Sequence, residues 1–335
     1  MEYTIGIDLG GSHVAAGAVA ADGTVTQEVE QDLATVEPAL VVDEIDRIVQ
    51  HVLSLAGEKD CVGIGLGAPG NIDEKSGVIN FSPNFNWVDV PLRSMLEKRL
   101  KHPLHLLNDA RCATLGEYIY GSGKGTAEFA LITIGTGIGG GFVSGNRLLL
   151  GEAMGAGEVG HHVIRPSDGF YCTCSKRGCF EAQASGTALL RHALAVASSF
   201  PRSTLLTRKP QEKWGSKMIR KAVAKGDEHA LAAWRNWLDD LAIGVSNIIS
   251  FTNPAVIALG GGVGQTDPKM LAEPLIVKVD ALTTMVPKGI TRIVSASLGN
   301  NAGVIGAAAL ARLGGTRQLL KPLNGVPPSP ARVKA

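Results

Sequence analysis

The sequence predicts an α/β protein of two domains built from related halves. Strand-like segments rich in β-branched residues alternate with stretches of helical periodicity along most of the chain. A run of strand, glycine turn, strand, hairpin turn and strand opens the chain and returns about 127 residues later. The length of 335 residues, with 45% hydrophobic and 19% charged side chains, exceeds one average domain and supports a sizeable core.

Residues 3–9 alternate as a strand and meet a tight turn at Gly10-Gly11-Ser12. A second strand runs over 13–20, Ala21-Asp22-Gly23 turns the chain, and a third strand covers 24–30. Residues 38–56 read as a helix with Leu40, Val41, Ile45, Ile48, Val49, Val52 and Leu53 on one face. A short apolar strand over 61–66 ends at Gly67-Ala68-Pro69-Gly70, and residues 91–100 form a helix with Pro91 in its first turn. A strand at 105–107 stops at Asn108-Asp109, where a helix begins and runs to about 118. The opening pattern then repeats. A strand at 128–134, a glycine turn at 135–140, a strand at 141–144, a turn at Gly145-Asn146 and a strand at 147–150 follow in order. Residues 186–250 are mainly helical, with a long amphipathic segment over 227–249 before Asn253-Pro254. A buried-type strand at 255–259 ends in Gly260-Gly261-Gly262, a last strand covers 293–296, and a small-residue helix covers 302–313. From Thr316 onward the prolines mark a poorly ordered tail.

Several classes of function are disfavoured at once. The net charge of +1 gives no global field toward nucleic acid or an anionic membrane. No segment approaches the roughly 18–20 apolar residues that span a bilayer. The acidic start lacks a basic leader and enters a strand by residue 3. Of the five cysteines, Cys61 and Cys112 are isolated, while Cys172, Cys174 and Cys179 fall within eight positions. An odd, clustered set fits a metal site in a reducing cytoplasm better than a disulfide framework.

Three motifs carry chemistry. The turns at Asp8-Leu9-Gly10-Gly11-Ser12 and at Gly135-Thr136-Gly137-Ile138-Gly139-Gly140 follow strands, and their glycines let backbone amides approach phosphate oxygens. The second turn also matches a dinucleotide fingerprint, but a hairpin rather than a helix follows it. Asp8 ends a strand, where its carboxylate can hold Mg²⁺ through water. Asn108-Asp109 reads either as a helix cap or as a carboxylate placed to take a proton from a substrate hydroxyl. Most specific is Glu158-Val-Gly-His161-His162 followed by Cys172-Thr-Cys174-Ser-Lys-Arg-Gly-Cys179-Phe-Glu181. Three thiolates and an imidazole make a closed tetrahedral set for a structural Zn²⁺, and the residues alone leave His161 and His162 both open as the fourth ligand.

In combination these motifs resemble the ROK family of bacterial sugar kinases and sugar-responsive repressors, over about residues 3–313, and within it the glucokinases. The resemblance implies the actin-like ATPase fold, a duplicated ribonuclease-H-like α/β architecture whose two domains close over a cleft. The smaller domain would span 1–118 plus 302–315, the larger one with the zinc loop 119–301, and the tail 316–335. It implies transfer of the ATP γ-phosphoryl group to the 6-hydroxyl of glucose or a related hexose, with Mg²⁺ and a structural Zn²⁺. Asp109 becomes the general base. Asn84, Asn108, Asp109, Glu158, His161 and Glu181 become sugar ligands. Asp8, Gly10, Gly11 and Ser12, with Thr136 and Gly137, approach the phosphates, and Gly260, Gly261 and Gly262 line the adenosine pocket. His161, Cys172, Cys174 and Cys179 become the zinc ligands. Family members often pair into dimers or tetramers, so a homodimer or homotetramer is expected. Three positions depart from the pattern: Ser175 replaces a glycine, the gap from His161 to Cys172 is one residue longer, and Ser12-His13 replaces threonine and lysine or asparagine. A kinase for N-acetylglucosamine, N-acetylmannosamine, fructose or allose shares every motif, and a sugar-sensing repressor is a further alternative, disfavoured by the early first strand and the neutral charge.

Overall fold

A computed structural model describes residues 1–203, 205 and 209–319. Two five-stranded sheets dominate it. The first is built from β1 (Tyr3–Leu9), β2 (His13–Val19), β3 (Val25–Asp32), β4 (Cys61–Ala68) and, beyond a small three-stranded sheet of β5 (Asn71–Asp73), β6 (Val78–Ser82) and β7 (Trp87–Val90), β8 (Leu104–Asn108). The second is built from β9 (Phe129–Ile134), β10 (Ile138–Ser144), β11 (Arg147–Leu148), β12 (Val256–Gly260) and β13 (Arg292–Ser295). The spatial orders are β3-β2-β1-β4-β8 and β11-β10-β9-β12-β13. Both are third, second, first, fourth, fifth, so the sequence repeat corresponds to a duplicated sheet. In the first sheet β1 pairs antiparallel with β2 and parallel with β4.

The strands hold where apolar residues alternate, and the turns hold where backbone geometry demands it. Gly145 and Asn146 both take positive φ, 56° and 61°, the geometry of a two-residue hairpin turn. The helix Pro38–Ala56 has the predicted bounds, with Glu37 accepting the Leu40 N–H and Gly57 closing the far end at φ 93°. Its buried face holds Val42 in place of Leu40, which is 53% exposed. Pro91 caps a helix of only six residues, Leu92–Glu97, shorter than expected. The long helix Glu228–Thr252 starts on Asp227, whose carboxylate accepts the Ala230 N–H at 3.0 Å, and ends on left-handed Asn253 before Pro254.

The chain divides into two compact units. One holds residues 1–130, 141–157 and the described residues from Ser297 on; the other holds 131–140 and 158–296. The border expected at residue 118 falls inside the first unit. One face of the first sheet is covered by Pro38–Ala56 through Val41, Ile45, Ile48 and Val52. The helix Ala302–Arg312 also packs on this sheet, so closely that small residues are obligatory. A Cβ on Gly6 would lie 1.8 Å from the Val304 carbonyl oxygen, and one on Gly65 would lie 1.8 Å from that of Ala307. The expected tail begins differently: Thr316–Leu319 form a helical turn with Leu319 buried, while 320–335 lie outside the described residues.

Candidate active site

In the first unit the motif residues Asp8, Asn108 and Asp109 collect at the carboxyl ends of β1 and β8. Asp8 is the penultimate residue of β1, and its carboxyl lies against the first turn of Ala302–Arg312. A Cβ on Gly303 would stand 2.2 Å from Asp8 Oδ2. Burial, reinforced by the negative charge of Asp109, pushes Asp8 up to about 7. The following turn is closed by the Gly10 N–H donating to the His13 carbonyl at 2.9 Å, and the Leu33 N–H holds the Ser12 carbonyl at 2.9 Å. Gly11 and Ser12 are exposed, and Asn84 Nδ2 lies 3.8 Å from where a Cβ on Gly11 would be. Asn108 is the cap of the helix Asp109–Ile119: its Oδ1 accepts the Arg111 N–H at 3.2 Å and its Nδ2 donates to the Gly70 carbonyl at 3.2 Å. Capping and function are compatible, because the cap fixes the corner at which half-buried Asp109 stands. Asp109 Oδ1 accepts the Ala110 N–H at 2.8 Å.

Two residues of this region have no motif to reveal them. Arg111 is buried, and its guanidinium donates to the Ala156 carbonyl at 3.0 Å and the Met154 carbonyl at 2.5 Å. Glu74 is 3% exposed, and burial pushes it up to about 7, opposed by the Thr316 hydroxyl and the guanidiniums of Arg111 and Arg93. In sequence Glu74 sits in Asp-Glu-Lys, a run that reads as a solvated turn.

In the second unit the glycine turn is shorter than expected. The Gly135 N–H donates to the Gly137 carbonyl at 3.0 Å, and β10 starts at Ile138, so Gly139 and Gly140 belong to the strand. Thr136 is exposed, and its carbonyl accepts the Thr187 hydroxyl at 2.8 Å. Gly135, Thr136, Gly186, Thr187, Leu190, Gly215, Ser216, Arg220, Gly262 and Val263 line a cavity of about 410 Å³. Gly260 ends β12, and Gly261 opens the short helical turn Gly261–Gly264 beside the cavity.

The cysteine segment meets this turn. Donor atoms of His161, Cys172, Cys174 and Cys179 all lie within 4.8 Å of one another. The Cys174–Cys179 sulfurs are 3.5 Å apart, and Cys172 Sγ is 3.7 Å from His161 Nδ1. A tetrahedron with Zn–S bonds of about 2.3 Å has edges of roughly 3.8 Å, so the donor set fits Zn²⁺ in number, chemistry and size. His162 is turned away. Its Nδ1 meets the Val159 carbonyl at 2.5 Å, its ring packs on Phe180 with centroids 5.1 Å apart, and burial lowers its pKa. Ser175 has φ 68°, a left-handed backbone that glycine adopts without strain, which fits the glycine that the family resemblance implies here. Glu181 stands in the first turn of the helix Phe180–Ala184. Its Oε2 accepts the Ile138 N–H at 2.9 Å, and a Cβ on Gly137 would collide with that oxygen at 2.3 Å. Glu158 is exposed and precedes the turn Val159–His161.

The segment is also fastened apart from its thiols. Gln183 brackets Phe170, accepting its N–H and donating to its carbonyl, both at 3.3 Å. Arg165 pairs with Asp240, which is 1% exposed and lies 3.4 Å from His192 Nε2. Among the described residues no helix is long and apolar enough to cross a membrane.

Comparison with known proteins places these features in a family. Residues 4–313 match the ROK family. The chain is 36% identical over 316 residues to a glucokinase of Thermotoga maritima, covering 93% of this chain and 98% of that one. A crystal structure of a ROK family glucokinase from Streptomyces griseus, in complex with glucose and AMPPNP, superposes with a TM-score of 0.81 at 33% identity, covering 92% of this chain and 99% of that one. A xylose repressor of Bacillus spizizenii is 28% identical over 312 residues, covering 92% of this chain and 76% of the repressor. The fold is the actin-like ATPase fold of these proteins, with two α/β domains. The chain therefore belongs to the ROK family, and among its sugar kinases it resembles the glucokinases.

Proposed function

We propose that the protein is an ATP-dependent glucokinase. That it is a hexose kinase rests on glucokinase relatives that align over nearly its whole length. One observation carries the finer reading. Glu181, the carboxylate assigned to the sugar, touches both the phosphate turn at Gly137 and the cysteine cluster at Cys172. A hexose hydroxyl held there is close to where a phosphoryl group would be cradled.

In this reading Asp109 accepts the proton of the sugar 6-hydroxyl as its oxygen bonds to the γ-phosphorus. The bond to the bridging oxygen breaks, and ADP leaves with that oxygen. Little covalent work falls to the protein, so positioning and charge neutralisation dominate. Mg²⁺, when bound, offsets phosphate charge, and Asp8 is the carboxylate that would face it. Gly10, Gly11, Ser12, Thr136 and Gly137 offer backbone and hydroxyl donors to the phosphates, and Gly260, Gly261 and Gly262 flank the base and ribose. Asn84, Asn108, Glu158, His161 and Glu181 hydrogen-bond the ring hydroxyls. Each charged hydrogen bond contributes on the order of 1.5–3 kcal/mol, and a wrong epimer leaves one unmade. His161, Cys172, Cys174 and Cys179 would hold Zn²⁺, which supplies order rather than chemistry. With Nδ1 toward the thiols, the His161 Nε2 is left as a donor for a sugar oxygen.

The test is a coupled ADP-release assay over hexoses and N-acetylhexosamines. Glucose is expected to give the highest kcat/KM. Preference for an N-acetylated sugar would replace glucose as substrate, and sugar binding without turnover would make the protein a sensor.

A further inference from the structure

The cavity behind the glycine turn is lined by one charged side chain, Arg220, which no carboxylate among the described residues pairs with. Its lining is otherwise neutral: glycines, Thr136, Thr187, Ser216, Leu190 and Val263. Arg220 stands on the helix Ser216–Val223, whose first residue also lines the cavity. One guanidinium nitrogen, Nη1, donates to the Thr266 hydroxyl at 3.0 Å, and Thr266 is itself anchored on the Val263 carbonyl at 2.6 Å. Nε is buried with no hydrogen-bond partner, and no carboxylate pairs with Arg220 among the described residues. Burial lowers its pKa, and no anion among the described residues opposes that effect.

A half-buried guanidinium is normally matched by a carboxylate or phosphate, because its bidentate donors and permanent charge are costly to leave unmatched. Here Thr266 fixes the side chain beside the cavity without neutralising it. The guanidinium lines the same cavity as Thr136. We infer that Arg220 is a nucleotide-binding residue whose guanidinium takes up a phosphate oxyanion of the ATP or ADP bound in this cavity. This rests on the kinase reading above. Arg220 would set affinity for the nucleotide and leave the sugar side untouched.

The experiment is calorimetric titration of the full chain with ADP and, separately, adenosine, for the wild type, Arg220→Gln and Arg220→Lys. Gln keeps a donor toward Thr266 but removes the charge. The Gln variant is expected to bind ADP at least tenfold more weakly with adenosine affinity unchanged, and Lys is expected to recover most of the loss. The KM for ATP rises in parallel while the KM for glucose stays within about twofold. Thermal stability of the ligand-free Gln variant should be equal or higher, since an unmatched charge has been removed. Equal loss of ADP and adenosine would overturn the phosphate assignment, and unchanged ADP affinity would remove Arg220 from the site. Wild-type protein that binds no ADP would instead overturn the nucleotide reading of the cavity itself.

Discussion

Cys172 Sγ lies 3.8 Å from Glu181 Oε1. The candidate metal cluster and the carboxylate proposed to hold the sugar are thus neighbours, and Glu181's other oxygen is held by the Ile138 N–H. Removing a divalent metal should therefore disturb sugar recognition as well as stability. Chelation is expected to lower the melting temperature and weaken glucose binding, and added Zn²⁺ should restore both. Metal content, calorimetric melting and glucose titration check this. Unchanged melting and binding in metal-free protein would separate the cluster from the site.

Asp109→Asn keeps the side-chain shape at the first position of its helix but cannot accept a proton. Turnover should fall roughly 100- to 10,000-fold while glucose still binds. Near-normal kcat with the Asn variant would dismiss Asp109 as base.

Asp8 makes stability depend on pH. Its pKa is 3.8 in the ordinary state and about 7 in the fold, so the folded protein binds the extra proton between those values. The favourable contribution is complete below about pH 4 and is lost as pH rises through 7. Glu74, also raised to about 7, acts in the same direction. Without divalent cations, Asp8→Asn and Glu74→Gln should each raise the melting temperature at pH 8 more than at pH 4. Asp8→Asn should abolish most activity. A melting temperature lowered equally at both pH values would contradict the linkage.

Gly303→Ala would place a methyl 2.2 Å from Asp8 Oδ2. Overpacking of this kind costs about 1–3 kcal/mol, and the carboxylate must move. The expected result is a lower melting temperature with a raised Mg²⁺ requirement, read from kinetic titration with the cation.

Ser175→Gly relieves a left-handed backbone at φ 68°. It should stabilise by about 1 kcal/mol without altering kcat, measured by melting with metal bound.

Much of this was legible in the sequence where local rules decide. Pro38–Ala56 has its cap, its proline and its closing glycine, so both ends were readable. The cysteine spacing announced a donor cluster and left two histidines open; the family resemblance pointed to His161, and the fold agrees by turning His162 toward Val159. Other features depend on contacts distant along the chain. The strands β5 to β7 are three to five residues long and too short for alternation to register. Gly139 and Gly140 resemble turn residues but lie in β10. Glu74, Arg111 and Arg220 acquire meaning only from burial and from partners far away in sequence.

The bracing of the cysteine segment by Gln183 on Phe170 and by Asp240 on Arg165 has a consequence for how the protein is supplied with metal. A loop tied down at these points would stay threaded if an ion held by its thiols departed. Such an ion could then be withdrawn and replaced in the mature protein, and loading would not need to coincide with synthesis of the chain.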